Sequence, residues 1–171
     1  MEYISTRGSS PSIPSKKAII KGIAEDNGLY VPSSFPRLGD RPFGSSPGTS
    51  SYADRAIPIL KAFLTDYTEA EIASSCKAAY AGNFDSPLTA PVQFLGDGTA
   101  VLELWHGPTL AFKDMALQLM PRLLTLAIQS EGGGYKVVIL VATSGDTGKA
   151  ALEGFADVEE SRSSYSTPMK G

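Results

Sequence analysis

The sequence is most informative first in what it is short of. It holds one cysteine, Cys76, in 171 residues, which excludes an intramolecular disulfide framework and any multi-cysteine zinc site. It holds one histidine, His106, so a histidine metal cluster or a two-histidine mechanism is excluded as well, and no metal site is expected. There is no basic surplus: 15 Lys+Arg stand against 18 Asp+Glu, a net charge of −3, which argues against a nucleic-acid backbone as partner. The longest clean apolar run, Val137 to Ala142, is far shorter than a membrane span, and the N-terminus lacks a basic segment followed by an apolar one. These absences predict a cytoplasmic chain with a small-molecule partner and no membrane or nucleic-acid role. What is present is enough for a core, with 42% hydrophobic and 19% charged residues.

The pattern along the chain changes near residue 82. Before it, Ser15 to Glu25 reads as a short helix with Ser15 as N-cap and Asn27-Gly28 as the stop. Pro32 to Ser51 is rich in Pro, Gly and Ser and reads as a long loop. Tyr52 to Thr65 has helical apolar spacing with Pro58 inside it, and Thr68 to Glu71 is a capping box opening a third helix. That helix buries Ile72, Cys76 and Tyr80, and Cys76 is read there as a small core residue.

Beyond residue 82, Val92 to Leu95 and Ala100 to Trp105 flank Gly96-Asp97-Gly98 and predict a hairpin. Phe112 to Ile128 predicts one helix, kinked at Pro121. After Gly132-Gly133-Gly134, the run Lys136 to Ala142 suits a strand buried on both faces of a parallel sheet. Thr143 to Gly148 is a turn, and Lys149 to Phe155 a further helix. The fold class is therefore α/β, with a helical N-terminal region of residues 1–81 and the beginning of a mostly parallel sheet in residues 82–158.

Two segments could carry chemistry. In Glu103-Leu104-Trp105-His106-Gly107-Pro108-Thr109-Leu110-Ala111-Phe112-Lys113-Asp114, a strand runs through a Gly-Pro turn to a helix start at Lys113. An amine at a helix N-terminus among apolar neighbours is biased toward its neutral, nucleophilic form, which Schiff-base formation with an aldehyde cofactor needs. An ordinary surface lysine fits the same local sequence, and a turn-stabilising role fits His106. In Ala142-Thr143-Ser144-Gly145-Asp146-Thr147-Gly148, a buried strand ends in a turn at a helix N-terminus, a ready anion site. The turn is no Walker loop, because Thr143 and Ala150 stand where glycine and a hydroxyl residue are needed, and no dinucleotide fingerprint occurs. Asp146 fits either a substrate contact or a helix cap.

Together with Tyr3-Ile4-Ser5-Thr6-Arg7-Gly8 and Gly28-Leu29-Tyr30-Val31-Pro32, these two segments resemble threonine synthases, pyridoxal-phosphate enzymes of the tryptophan-synthase-β type. The resemblance runs in order over residues 1–158. It implies a doubly wound, mostly parallel sheet, of which this chain would hold an incomplete part. It implies that Lys113 carries pyridoxal 5'-phosphate and shuttles protons, and that Ser144, Gly145, Asp146 and Thr147 line the substrate. The substrate implied is O-phospho-L-homoserine, converted with water to L-threonine and phosphate. Two other outcomes stay open: a phospho-lyase releasing 2-oxobutyrate, and a non-catalytic fragment that docks on a longer subunit. Oligomeric state stays open too.

After Val158 the resemblance stops, and residues 159–171 are polar and Ser-rich, which predicts a disordered tail. The family's glycine-rich cradle for the cofactor phosphate and its hydroxyl partner for the pyridine nitrogen have no counterpart here. The expectation is thus a truncated or frame-shifted member, weakly active or inactive alone. An apolar strand at Val137 to Val141 with an uncovered edge further predicts poor solubility.

Overall fold

The computed structural model describes residues 1–39, 50–132, 137–156 and 158, and the backbone of 161–165. The middle of the Pro/Gly/Ser-rich loop and the rest of the tail therefore lie outside the described residues.

The N-terminal region holds a sheet as well as helices. Strand β1 (Glu2–Ser5) is central and pairs antiparallel with β2 (Ile13–Pro14) and with β3 (Tyr30–Pro32). Asp26 locks the turns between these strands. Its carboxylate accepts from Ser5 Oγ at 2.6 Å and from the backbone N–H groups of Ser9 and Gly28, both at 2.9 Å. Gly28 is required there, because a Cβ would lie 2.0 Å from Ser5 Oγ.

Helix α1 (Ser15–Lys21) begins one residue earlier than a Ser15 cap implies, with Pro14 at the N-cap and Ser15 inside the helix. Its start is capped from a distance instead. Asp66 accepts from Ser15 Oγ and, at 2.8 Å, from Lys16 N–H. The helix stops at Gly22, with φ +70°, well before Asn27-Gly28. Helices α2 (Tyr52–Phe63) and α3 (Glu69–Tyr80) form as expected, each opened by a capping box, Ser51 with Asp54 and Thr68 with Glu71. Pro58 is accommodated inside α2.

The hairpin is antiparallel, β4 (Val92–Gly96) with β5 (Thr99–Leu102). Asp97 and Gly98 both take positive φ, +50° and +74°, the backbone of a two-residue hairpin turn. The expected single helix over Phe112 to Ile128 is two: α4 (Asp114–Leu117) and α5 (Met120–Ser130). Pro121 lies in the first turn of α5, where its missing N–H costs nothing, so proline starts a helix here rather than kinking one.

Strand β6 (Val137–Val141) and β7 (Ser161–Tyr165) pair in parallel across α6 (Asp146–Phe155). Two expectations are corrected at this point. Residues 161–165 form a strand rather than disordered tail, because the edge of β6 offers them a full ladder of backbone partners. And β6 is covered on one face only: Val137 and Ile139 pack on Leu124, Ile128 and Phe155, while Val138 and Leu140 face outward.

The main core is made by α2, α3 and α5 and centres on Ile72, Cys76, Ala79, Leu123 and Ala127. It crosses the division at residues 81/82. Ile19 and Ile20 of α1 touch both this cluster and the one beneath β6, so one helix ties the N-terminal region to the parallel pair.

Candidate active site

Lys113 lies at the start of α4, and that helix is a single turn of four residues, so its dipole contributes little. What places the amine is the loop before it. Asp114 is fully buried and turns back on this loop, accepting from Thr109 N–H and from Thr109 Oγ1, each at 2.8 Å. Gly107 presses on the same carboxylate; a Cβ there would come within 2.5 Å of it. Leu110 takes a left-handed φ of +60°, and its N–H bonds Gly107 O at 3.0 Å. Residues 107–114 therefore close into a small ring of their own hydrogen bonds, and Lys113 rides on it beside a buried anchor.

The amine opens into a cleft of about 390 Å³, lined by Tyr52, Leu104, Phe112, Lys113, Met115, Ala116 and Leu117. That volume falls in the range of small-molecule sites, ~300–1,000 Å³. Lys113 itself is half-buried, and its Nζ sits 4.6 Å from the centroid of the Phe112 ring. The walls are apolar and aromatic, and Lys113 is the one charged residue among those lining residues. Tyr52 comes from α2 and stacks edge-on against Tyr80 at 4.9 Å, while Tyr80 Oη donates to Met115 O at 2.8 Å. The third helix thus holds the turn of α4 through a tyrosine whose ionisation burial pushes well up.

His106 precedes the ring and is gripped on both sides. Its Nδ1 lies 2.5 Å from Asp85 Oδ1 and its Nε2 2.7 Å from Glu103 Oε2. The hydrogen bonds to Glu103 and then to Asp85 raise its pKa above the ordinary imidazole value. The backbone runs alongside: Asp85 N–H bonds His106 O, and Glu103 N–H bonds Pro91 O, both at 2.9 Å.

The second segment stands at the start of α6. Thr143 Oγ1 accepts from Gly145 N–H at 3.2 Å and from Gly148 N–H at 3.0 Å, and Gly145 takes φ +145°. The N–H groups of Asp146 and Thr147 have no partner among the described residues, so two donors remain at this helix start. Ser144, Gly145, Asp146 and Thr147 do not line the Lys113 cleft. The structure brings Lys113 together with Tyr52, Leu104 and Met115 instead. Tyr52 and Tyr80 were legible in the sequence only as helix core, because their approach to residue 115 depends on how α2 and α3 pack. The buried Asp114 and the tight Gly107 were within the motif, and an acid following a lysine at a turn was the available signal.

A family model described as "Threonine synthase N terminus" matches residues 2–80. The chain is 42% identical over 155 residues to threonine synthase of Pseudomonas aeruginosa, covering 90% of this chain and 32% of that protein. It is 41% identical over 143 residues to "Threonine synthase-like 1" of Homo sapiens, covering 82% of this chain and 19% of that one. Among solved structures, pyridoxal-phosphate-bound threonine synthase from Brucella melitensis superposes with a TM-score of 0.90 at 35% identity, over 98% of this chain and 36% of that chain. The Escherichia coli enzyme superposes at 0.79, with 28% identity, over 96% of this chain and 36% of the other. The chain spans about a third of the length of the threonine synthases it matches.

Proposed function

Starting from a chain that matches the N-terminal portion of threonine synthases, we propose that it carries the cofactor-lysine part of a pyridoxal-phosphate enzyme acting on O-phospho-L-homoserine. The reaction releases phosphate from the γ-carbon and adds water at the β-carbon, giving L-threonine. One observation carries the reading: the half-buried amine of Lys113, braced by Asp114, opens into an apolar cleft of about 390 Å³, in a segment similar to a pyridoxal-phosphate-bound relative.

The cofactor, when bound, supplies a ring that withdraws electrons from the substrate carbons. The chain's own residues do the rest. Lys113 is the residue that would hold the cofactor, through its amine, and that amine would take and return protons at the substrate carbons. Tyr52, Leu104 and Phe112 give the amine apolar neighbours. The free N–H groups of Asp146 and Thr147, with Ser144 and Gly145 shaping the turn, bind the substrate carboxylate at the start of α6. The residues lining the cleft suit an aldehyde and a flat ring, but they offer no second cation and no glycine turn for a phosphate. The 171 residues alone are accordingly expected to hold the cofactor weakly and to turn over slowly.

The test is direct. The purified chain is titrated with pyridoxal phosphate and then reduced with borohydride, which marks the modified lysine for mass spectrometry. Label on Lys113, lost in Lys113→Ala, is the expected result; label spread over surface lysines with Lys113→Ala unchanged would sink the reading. Product analysis with O-phosphohomoserine separates a synthase, giving threonine, from a phospho-lyase, giving 2-oxobutyrate.

A further inference from the structure

The ring of residues 107–114 has its own internal bonds, but it needs an attachment to the rest of the molecule if Lys113 is to stay in its cleft. One end is anchored through α4 and Tyr80. The other end is His106. A neutral imidazole has one N–H and one lone pair, so it cannot donate to two carboxylates at once. Glu103 and Asp85 both stand within hydrogen-bond distance, at 2.7 and 2.5 Å, and only a doubly protonated ring satisfies both. Loss of one proton would set a lone pair against a carboxylate. The two carboxylates come from different elements, Glu103 from the chain just after β5 and Asp85 from the segment after α3, so the imidazole ties them together. Trp105 stacks nearby with ring centroids 5.6 Å apart and carries no charge. Glu103 and Asp85 are the charged groups that face His106 among the described residues.

We propose that His106 is a positioning residue for Lys113: clamped between Glu103 and Asp85, it fixes the entry of the 107–114 ring and thereby the place of the amine in its cleft. The inference rests on the reading of Lys113 as the cofactor lysine, but the clamp itself is visible without cofactor. Asp85 is largely exposed, its side chain at 66%, so Asp85→Ala opens one side of the clamp with little risk to folding. His106→Gln keeps a single amide and removes the titration.

The sign follows from the proton count. Below the folded pKa of His106 the clamp holds; as pH rises through it, above the ordinary 6.5, the clamp loosens. Amide hydrogen exchange of the cofactor-free chain, corrected for the intrinsic pH dependence, is the first readout. Residues 107–113 should lose protection several-fold as His106 titrates by NMR, while α2 and α3 keep theirs. Asp85→Ala should show the loosened state at lower pH, and His106→Gln should show no step. The second readout is the rate of pyridoxal-phosphate capture at Lys113, expected to fall several-fold in both variants. A residue that merely supports the fold would lower the melting temperature of both variants and leave the exchange step in Asp85→Ala where the wild type has it. That outcome, or a step persisting in His106→Gln, overturns the proposal. If Lys113→Ala captures cofactor like the wild type, the functional reading fails while the exchange step still reports the clamp.

Discussion

At the scale of single residues, the side chains that do most are those whose partners are far away in sequence. The Asp26 carboxylate accepts from Ser5 Oγ and from the Gly28 and Ser9 N–H groups, and these bonds, led by Ser5, hold its pKa down to about 2 from 3.8. An acid with a lowered folded pKa stabilises above its unfolded value, and that stability is lost as pH falls through the folded one. The melting temperature is therefore expected to drop between pH 3.8 and about 2 and to do so less steeply in Asp26→Asn, as followed by circular dichroism. Cys76 illustrates the opposite control. Burial pushes its thiol up to about 11, so thiolate is scarce and the group is covered. Thiol reagents are expected to label it only on the timescale of unfolding, and fast labelling of native protein would contradict its core placement. Beside it, Ile72 is completely buried, and Ile72→Ala should cost about 2–5 kcal/mol in urea denaturation.

At the scale of elements, what the sequence could show depended on how local the cause is. The Thr68–Glu71 capping box and the Asp97-Gly98 hairpin were legible because each is written within four or five residues, whereas the Ser51–Asp54 box at the end of the long loop was passed over. The N-terminal sheet was not, because its strands run to four, two and three residues and pair across long separations. The break between α4 and α5 was misplaced because apolar spacing continues across it while the backbone does not. Lys113 and the α6 turn were visible as motifs, yet the cleft wall from Tyr52 and Tyr80 emerges only from helix packing. The start of α1 offers a test of such a distant cause. Asp66 stands 50 residues from the Lys16 N–H that it caps, so Asp66→Ala should act as loss of an N-cap, destabilising by ~0.5–2 kcal/mol. Hydrogen exchange should localise the loss to α1, with α2 and α3 unaffected.

At the scale of the whole molecule, the core and the surface pull in different directions. The core crosses the residue 81/82 division through α5 and α1, so the described helices should melt together rather than as two units. The surface, by contrast, shows many exposed apolar side chains, among them those of two strand neighbourhoods. On the hairpin, Phe94 is 82% and Leu95 68% exposed; on the open face of β6, Leu140 is 81% exposed. β7 pairs with one edge of β6, so backbone exposure is smaller than the sequence implied, but the outward side chains remain uncovered. Such patches drive association in water, because contact between them removes apolar area that folding left behind. Sedimentation at rising protein concentration is expected to show reversible self-association, with binding of an apolar dye to the free chain. The double substitution Phe94→Ser and Leu140→Thr removes exposed apolar surface without touching the core, so its cost in stability should stay near ~0.5 kcal/mol per site. Association and dye binding should both fall in that variant. If they persist while the melting temperature is unchanged, the sticking surface lies elsewhere; if stability collapses instead, these side chains are packed in solution and the hairpin and β6 faces are not open.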